Sequence, residues 1–297
     1  MNLPVIVAPM FLVSNPKMVI ESSRGGVIGT FPLLNARPTS VCEEWLTEIK
    51  EALPSEPWGV NIICHKGENP RYDEDVELIK KFQPPLVITS LGNPTPIVEI
   101  VHSYGGKVYS DVIFEKHAKK AAMAGVDGLI LVCAGAGGHG GLLNPFAFVA
   151  AVKSFFNGEI ILAGALSSGA DVAAARAIGA DYAYMGTRFI VAEEGNATDA
   201  YKDMIISSSS EDIIYTDAIS GVNANFLIPS LTASGINVAD LSNGRGKMDF
   251  DDHKAWRDIF SAGQGVAAIS ERQTIAQIVE QLKAEYEEAC NRLNVLI

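Results

Sequence analysis

The chain has 297 residues, 48% of them hydrophobic, which is enough to fill one large α/β domain or two smaller ones. Its net charge of −12 excludes a general phosphate-backbone binder, because affinity for nucleic acid rests on Lys and Arg. An anionic ligand would have to be gripped locally, by backbone N–H groups or a few basic side chains.

Residues 4–7 read as the first strand, which ends in Ala8-Pro9-Met10. Ser14-Asn15-Pro16 supplies a cap and a first-turn proline for a helix that runs to residue 24. Residues 26–29 read as the second strand. Thr39 or Ser40 is placed to cap the next helix, which carries Trp45, Leu46, Ile49 and Leu53 at helical spacing. Residues 58–62 form the third strand, and a polar loop through Asn69-Pro70 leads to a helix over 75–82. The fourth strand is 86–90, and its helix, 96–104, is stopped by Gly105-Gly106. Residues 107–111 and 114–124 are the fifth strand and helix. The sixth strand, 128–132, is an apolar run bounded by glycine, as a strand buried on both faces should be. A helix over 145–156, a seventh strand at 160–163, an alanine-rich helix over 170–178 and an eighth strand at 181–185 complete the series.

Eight strands alternating with helices predict a closed (β/α)8 TIM barrel, with an open doubly wound sheet as the runner-up. After Arg188 the rhythm breaks. Residues 193–258 read as a small, mainly helical cap inserted after the eighth strand. The helix over 273–292, with Ile275, Ile278, Leu282 and Tyr286 on one face, closes the barrel. The expected division is therefore 1–192 barrel, 193–258 cap and 259–297 closing segment.

Cys42, Cys64, Cys133 and Cys290 lie far apart without metal-ligand spacing, so free thiols in a reducing compartment and no metal site are expected. The first ten residues are apolar but lack a basic flank and a cleavage site, and read as a strand rather than a signal peptide. No apolar run approaches the ~20 residues of a membrane span. The expectation is a cytoplasmic protein without membrane or nucleic-acid partners.

The most unusual stretch follows the sixth strand. In Cys133-Ala134-Gly135-Ala136-Gly137-Gly138-His139-Gly140-Gly141, five glycines crowd one histidine. Glycine lets backbone approach a ligand closely, and the C-terminal end of a barrel strand is where such enzymes carry their chemistry. The alternative is an ordinary loop histidine among turn glycines. The other strand ends converge on the same face: Ala8-Pro9-Met10, Asn61, Ser90, Asp111, Gly164-Ala165 and Gly186-Thr187. The loops after the seventh and eighth strands are where barrels repeatedly bind phosphate, so a phosphate-bearing cofactor is expected there.

Ala8-Pro9-Met10, Gly59-Val60-Asn61, Ala136-Gly137-Gly138-His139-Gly140-Gly141, Met185-Gly186-Thr187-Arg188-Phe189 and Ala262-Gly263-Gln264 occur in this order. Over nearly its whole length the chain resembles the nitronate monooxygenases, formerly called 2-nitropropane dioxygenases. The related FMN-dependent enoyl-ACP reductases share these loops. The resemblance implies a flavoprotein oxidoreductase with FMN lying across the strand ends. Gly164, Ala165, Gly186 and Thr187 would hold the phosphate. Met10, Asn61 and Gln264 would follow the ring and ribityl chain. Ala8, Pro9, Ser90, Asp111, Ala136, Gly137 and Gly138 complete the expected cofactor set. His139 would face the substrate as base or hydrogen-bond partner, a role that suits a pKa near ~6.5. The implied reaction is oxidation of a nitronate or nitroalkane, with O2 as co-substrate. The alternatives are NAD(P)H-dependent reduction of an enoyl thioester and a flavin- or phosphate-ligand-binding barrel without turnover. A homodimer is left open.

The sequence departs from the pattern at Ala165, where the usual residue is glycine, and at Cys133-Ala134-Gly135, where Glu or Gln often precedes the loop. Several other residues carry paired readings. Asp111 either orients a ligand or ion or caps the next helix. Cys133 is a reactive thiol or, by the general burial of free cysteine, a packing residue. Arg188 supports the phosphate or pairs with a carboxylate. Asn223 and Asn225 reach the site from the cap or shape a turn. His65, His102, His117 and His253 show no ligand pairing, and Trp45, Trp58 and Trp256 read as core.

Overall fold

The computed structural model describes residues 2–241 and 259–294. Nine strands and eight helices cover the chain up to the cap. The strands are β1 (Val5–Val7), β2 (Gly29–Pro32), β3 (Trp58–Ile63), β4 (Leu86–Ser90), β5 (Lys107–Val112), β6 (Gly128–Val132), β7 (Gly138–His139), β8 (Glu159–Ala163) and β9 (Tyr182–Met185). The helices are α1 (Pro16–Gly25), α2 (Thr39–Ala52), α3 (Tyr72–Phe82), α4 (Thr95–His102), α5 (Glu115–Met123), α6 (Pro145–Lys153), α7 (Gly169–Ala177) and the single turn α8 (Thr187–Ile190).

All of these strands except β7 form one parallel sheet in the order β1-β9-β8-β6-β5-β4-β3-β2. It closes through the bridge Ile6↔Ile28, where the Val7 N–H donates to the Ile28 carbonyl at 2.9 Å and the Ile28 N–H to the Val5 carbonyl at 3.0 Å. The Thr30 hydroxyl adds a bond to the Val7 carbonyl. The fold is a (β/α)8 barrel.

Alternation along the strands explains why they read as unbroken apolar runs. Successive side chains point to opposite faces. In β6, Leu129 and Leu131 pack outward against the helices while Ile130 and Val132 fill the interior; in β8, Ile160 and Leu162 pack outward, and Ile161 and Ala163 inward. Both faces are buried, so neither alternates with polar residues.

Most element ends fall within about three residues of the sequence reading, and two of the differences have a clear physical cause. The second strand is Gly29–Pro32, not 26–29, because Gly26 ends α1 in the left-handed region (φ 93°) and the chain must turn before pairing. At α2 neither Thr39 nor Ser40 caps: the helix starts at Thr39 after an extended Pro38 with no side-chain cap. Asn15 does cap α1, accepting the Met18 N–H at 2.9 Å, with Pro16 in the first turn.

The described part of the cap comprises α9 (Asp199–Ser207), β10 (Ile213–Thr216), β11 (Ala224–Leu227), α10 (Ile228–Ala233) and α11 (Val238–Leu241). Besides helices it carries an antiparallel sheet, β10-β11-β7, whose third strand comes from the glycine-rich loop of the barrel. The long helix α12 (Ile275–Asn294) packs on α7 so closely that a Cβ at Gly169 would lie 2.1 Å from the Leu282 carbonyl oxygen. His253 and Trp256, and part of the expected 193–258 and 259–297 segments, lie outside the described residues. Trp58 is buried, and Trp45 packs against Phe31 with ring centroids 5.8 Å apart. Among the described residues no helix is long and apolar enough to cross a membrane.

Candidate active site

A cavity of ≈ 710 Å³ opens at the C-terminal ends of the barrel strands. Its lining brings together Ala8, Pro9 and Met10 after β1, Asn61 on β3, Ser90 on β4, Asp111 on β5, and Ala136, Gly137, Gly138 and His139 after β6. It also takes in Gly164 and Ala165 after β8, and Gly186 and Thr187 after β9. Gln264 stands apart. It is exposed, and its backbone links Gly135 (N–H to carbonyl, 2.9 Å) with the Ser210 hydroxyl (2.7 Å), while its neighbours Gly263 and Gly265 reach the cavity.

One end of the cavity, at the β8 and β9 ends, carries a strand-end turn and two hydroxyls. The N-terminus of α7 is already satisfied internally: Asp171 accepts the N–H groups of Ser167 and Ser168, and Glu285 accepts that of Gly169. The turn before it therefore faces the cavity instead. There Gly164 has φ 133° and Ala165 φ 55°, an uncommon conformation for a residue with a side chain. The Ser167 hydroxyl is buried without a hydrogen-bond partner among the described residues, and a Cβ at Gly265 would come within 2.3 Å of it. The Thr187 hydroxyl accepts the Gly263 N–H at 2.9 Å, which leaves its proton to donate. A buried unpaired hydroxyl costs stability, so Ser167 beside a strand-end turn fits a bound phosphate oxygen.

Ser167 and Gly263 stood inside stretches that the sequence singles out, the loop after the seventh strand and Ala262-Gly263-Gln264, without a role of their own, and Gly265 escaped the sequence reading. The signal for the two glycines lay in Ala262-Gly263-Gln264-Gly265, where they flank the glutamine, whose Oε1 would lie 2.8 Å from a Cβ at Gly135. Arg188 does not enter the site. It is buried and donates to the side-chain carbonyls of Gln273 (2.5 Å) and Gln281 (3.0 Å), tying α8 to α12 and to the segment just before it. Burial lowers its pKa, partly opposed by Glu285 and Glu271.

The glycine-rich loop is clamped by the cap. Gly138 (φ 71°) donates its N–H to the Ser261 hydroxyl at 2.6 Å. β7 pairs with β11 in the register Ala224↔His139 and Asn225↔Gly138. The Asn225 amide donates to the Ala136 carbonyl at 2.6 Å, and the Tyr215 hydroxyl to the Gly140 carbonyl at 2.9 Å. Asn225 is buried, so it shapes the loop from behind; Phe226 is fully buried in the cap core, and Asn223 is exposed.

His139 is exposed toward the cavity, with Nε2 3.4 Å from the Ser220 hydroxyl. The surrounding protein desolvates the imidazolium and lowers its pKa, while the Glu68 carboxylate, also on the lining, pulls it back up. A neutral imidazole is thereby favoured, which is the form that accepts a proton.

At the far side, the Asn61 amide donates to the Ser90 hydroxyl (2.7 Å), and Ser90 donates to Asp111 Oδ2 (2.5 Å). Asp111 does not cap the next helix, whose N-cap is Phe114 without a side-chain bond. Burial pushes its pKa up to about 6, opposed by Ser90. Cys133 is fully buried and its thiol is pushed up to about 12, so it packs and does not react. His102 pairs with Asp127 at 2.9 Å, His117 sits edge-on to Phe114, and His65 lies outside the lining.

A model of the nitronate monooxygenase family matches residues 31–285. A nitronate monooxygenase of Paraburkholderia phytofirmans is 26% identical over 98% of this chain and 94% of its own. Among solved structures, FabK from Thermotoga maritima superposes with a TM-score of 0.83 at 27% identity, over 100% of this chain and 96% of that one. The nitroalkane oxidase from Streptomyces ansochromogenes gives 0.80 over 98% and 97%; at 20% identity it speaks for the fold alone.

Proposed function

The chain belongs to the nitronate monooxygenase family, and from that membership we propose that it is an FMN-dependent enzyme that oxidises alkyl nitronates or nitroalkanes with O2. The observation that carries the reading is the pairing, in one cavity, of an anion cradle at the β8 and β9 ends with a neutral-leaning histidine at the β6 end. When bound, FMN supplies the electron acceptor and the partner for O2.

The residues of the chain do the rest. The Gly164–Ala165 turn, Ser167, Gly186 and Thr187 hold the phosphate with backbone and hydroxyl donors, which suits a chain of net charge −12. Ala8, Pro9, Met10, Asn61, Ser90, Asp111, Ala136, Gly137 and Gly138 shape the space for the rest of the cofactor. The cap, within residues 193–258, excludes water. His139 takes a proton from the carbon beside a nitro group, or donates a hydrogen bond to a nitronate oxygen. Gln264 acts through its backbone, holding the Gly263–Gly265 loop over Gly135.

The second reading, reduction of an enoyl thioester by NAD(P)H, draws on the same loops, shared with the enoyl-ACP reductases. Anaerobic mixing of the purified yellow protein with a nitronate, NADPH and NADH in turn separates the two. Bleaching by the nitronate is expected. Fast bleaching by a nicotinamide alone would favour the reductase, and a colourless protein without flavin affinity would overturn both readings.

A further inference from the structure

Asn61, Ser90 and Asp111 stand in the C-terminal halves of three neighbouring strands, β3, β4 and β5. In the order β1-β9-β8-β6-β5-β4-β3-β2 this arc lies across the barrel from β8 and β9, whose loops carry Ser167 and Thr187. A ligand with its anionic end at β8 and β9 therefore places its opposite end on this arc.

The polarity of the arc is fixed by its hydrogen bonds. The Asn61 amide nitrogen is committed, to Ser90 Oγ at 2.7 Å and to the Ile88 carbonyl at 3.2 Å. Receiving that bond, Ser90 turns its own proton to Asp111 Oδ2 at 2.5 Å. The chain of donors ends on a carboxylate, which when ionised only accepts. Its second oxygen, Oδ1, is buried and has no hydrogen-bond partner among the described residues. The χ2 torsion of an aspartate is broad, so either oxygen can turn to a ligand. A buried carboxylate with an unused acceptor loses stability until a donor arrives. Its raised pKa, driven by burial, is consistent with that deficit.

An oxidised isoalloxazine ring offers a single hydrogen-bond donor, the imide N3–H. We propose that Asp111, oriented by Ser90 and Asn61, accepts the imide N–H of the flavin ring and so fixes which end of the ring lies over β3–β5. This assignment rests on the FMN reading above. The neighbouring Tyr184, from β9, keeps its phenol proton, since burial and the Asp111 charge both raise its pKa.

The test is a ligand-and-variant cycle read by binding. The full-length chain is stripped of flavin and titrated with FMN and with N3-methyl-FMN, following flavin fluorescence, as wild type, Asp111→Ala and Asp111→Asn. Wild type should bind the N3-methyl analogue ~10–100-fold more weakly, the worth of a hydrogen bond to a charged group. Asp111→Ala should bind both flavins equally, and Asp111→Asn should show a reduced preference. Equal binding of both flavins by wild type, or an unchanged preference in the alanine variant, would overturn the assignment while leaving the FMN reading standing. If Asp111→Ala does not fold, the isosteric asparagine variant decides by the same criterion. Failure of wild type to bind FMN at all would bring down both.

Discussion

The Ser261 hydroxyl accepts the Gly138 N–H at 2.6 Å and donates to the Asn225 carbonyl at 2.6 Å, so one side chain joins the glycine-rich loop to the cap. The same residue's carbonyl receives the Tyr201 hydroxyl, and Tyr201 stacks on Phe260 at 4.2 Å. Removing the hydroxyl unpairs a donor and an acceptor beside His139. Ser261→Ala is expected to lower kcat/KM by about tenfold, at a cost within the ~1–3 kcal/mol of an unmet buried group. Flavin content should hold, because the phosphate grip lies on other loops. Flavin loss with unchanged turnover per flavin would show that Ser261 serves the cofactor and not the loop.

Gly186 separates cofactor binding from folding. Its φ of −105° is ordinary, and a Cβ there would sit 3.6 Å from Ala8 Cβ and Met10 Sδ, which is normal contact. Bulk at this point should therefore leave the barrel intact while filling the space of the phosphate. Gly186→Val is expected to keep its circular dichroism and purify without flavin. Full occupancy in that variant would place the phosphate elsewhere. Gly164 would be a poorer probe: with φ 133° and only 2.8 Å from a would-be Cβ to the Ala134 carbonyl oxygen, its substitution strains the backbone itself.

These contacts also mark where sequence reasoning stops. The barrel strands were legible because both faces are buried, and the strand-end residues followed once the strands were placed. Asp111, Ser90 and Asn61 needed no information beyond their position after an apolar run. The β10–β11 hairpin was not legible: each strand has four residues, and its third partner, β7, comes from a loop that no strand pattern marks. Ser261 acts on Gly138 across 123 residues of sequence, and Ser167 matters only because the Gly263–Gly265 loop folds down beside it. Such meetings are set by tertiary closure, not local propensity. Asn225 shows the converse. The sequence offered it to the site or to a turn, and the structure uses it to hold the Ala136 carbonyl from behind.

The Glu68 carboxylate faces the same cavity as His139 and favours its charged form, against the effect of burial. Neutralising it removes the upward pull, so the His139 pKa should fall further. If neutral His139 is the base, the acidic limb of the pH profile of kcat/KM reports that pKa. Glu68→Gln should therefore move the acidic limb to lower pH and extend activity into acid. A shift to higher pH, or none, would mean that the limb belongs to another group.

The last prediction concerns His139 itself. Its backbone is held by the pairing with Ala224 and, one residue earlier, by the Gly138–Ser261 bond, neither of which involves the imidazole. Removing the ring should therefore leave the loop in place, and His139→Ala should keep its FMN. Turnover of a neutral nitroalkane should fall by ~10²–10⁴, the usual worth of a positioned base. A preformed nitronate has already lost the proton from carbon, so its oxidation should fall less. His139→Asn keeps a hydrogen-bond donor without basicity and should restore much of the nitronate reaction and little of the nitroalkane reaction. The lowered pKa bears on the same comparison: at neutral pH the ring is mainly uncharged, able to accept a proton from carbon or to donate its N–H to a nitronate oxygen. Near-wild-type rates for both substrates in both variants would make the histidine a structural element of β7 and remove it from the chemistry.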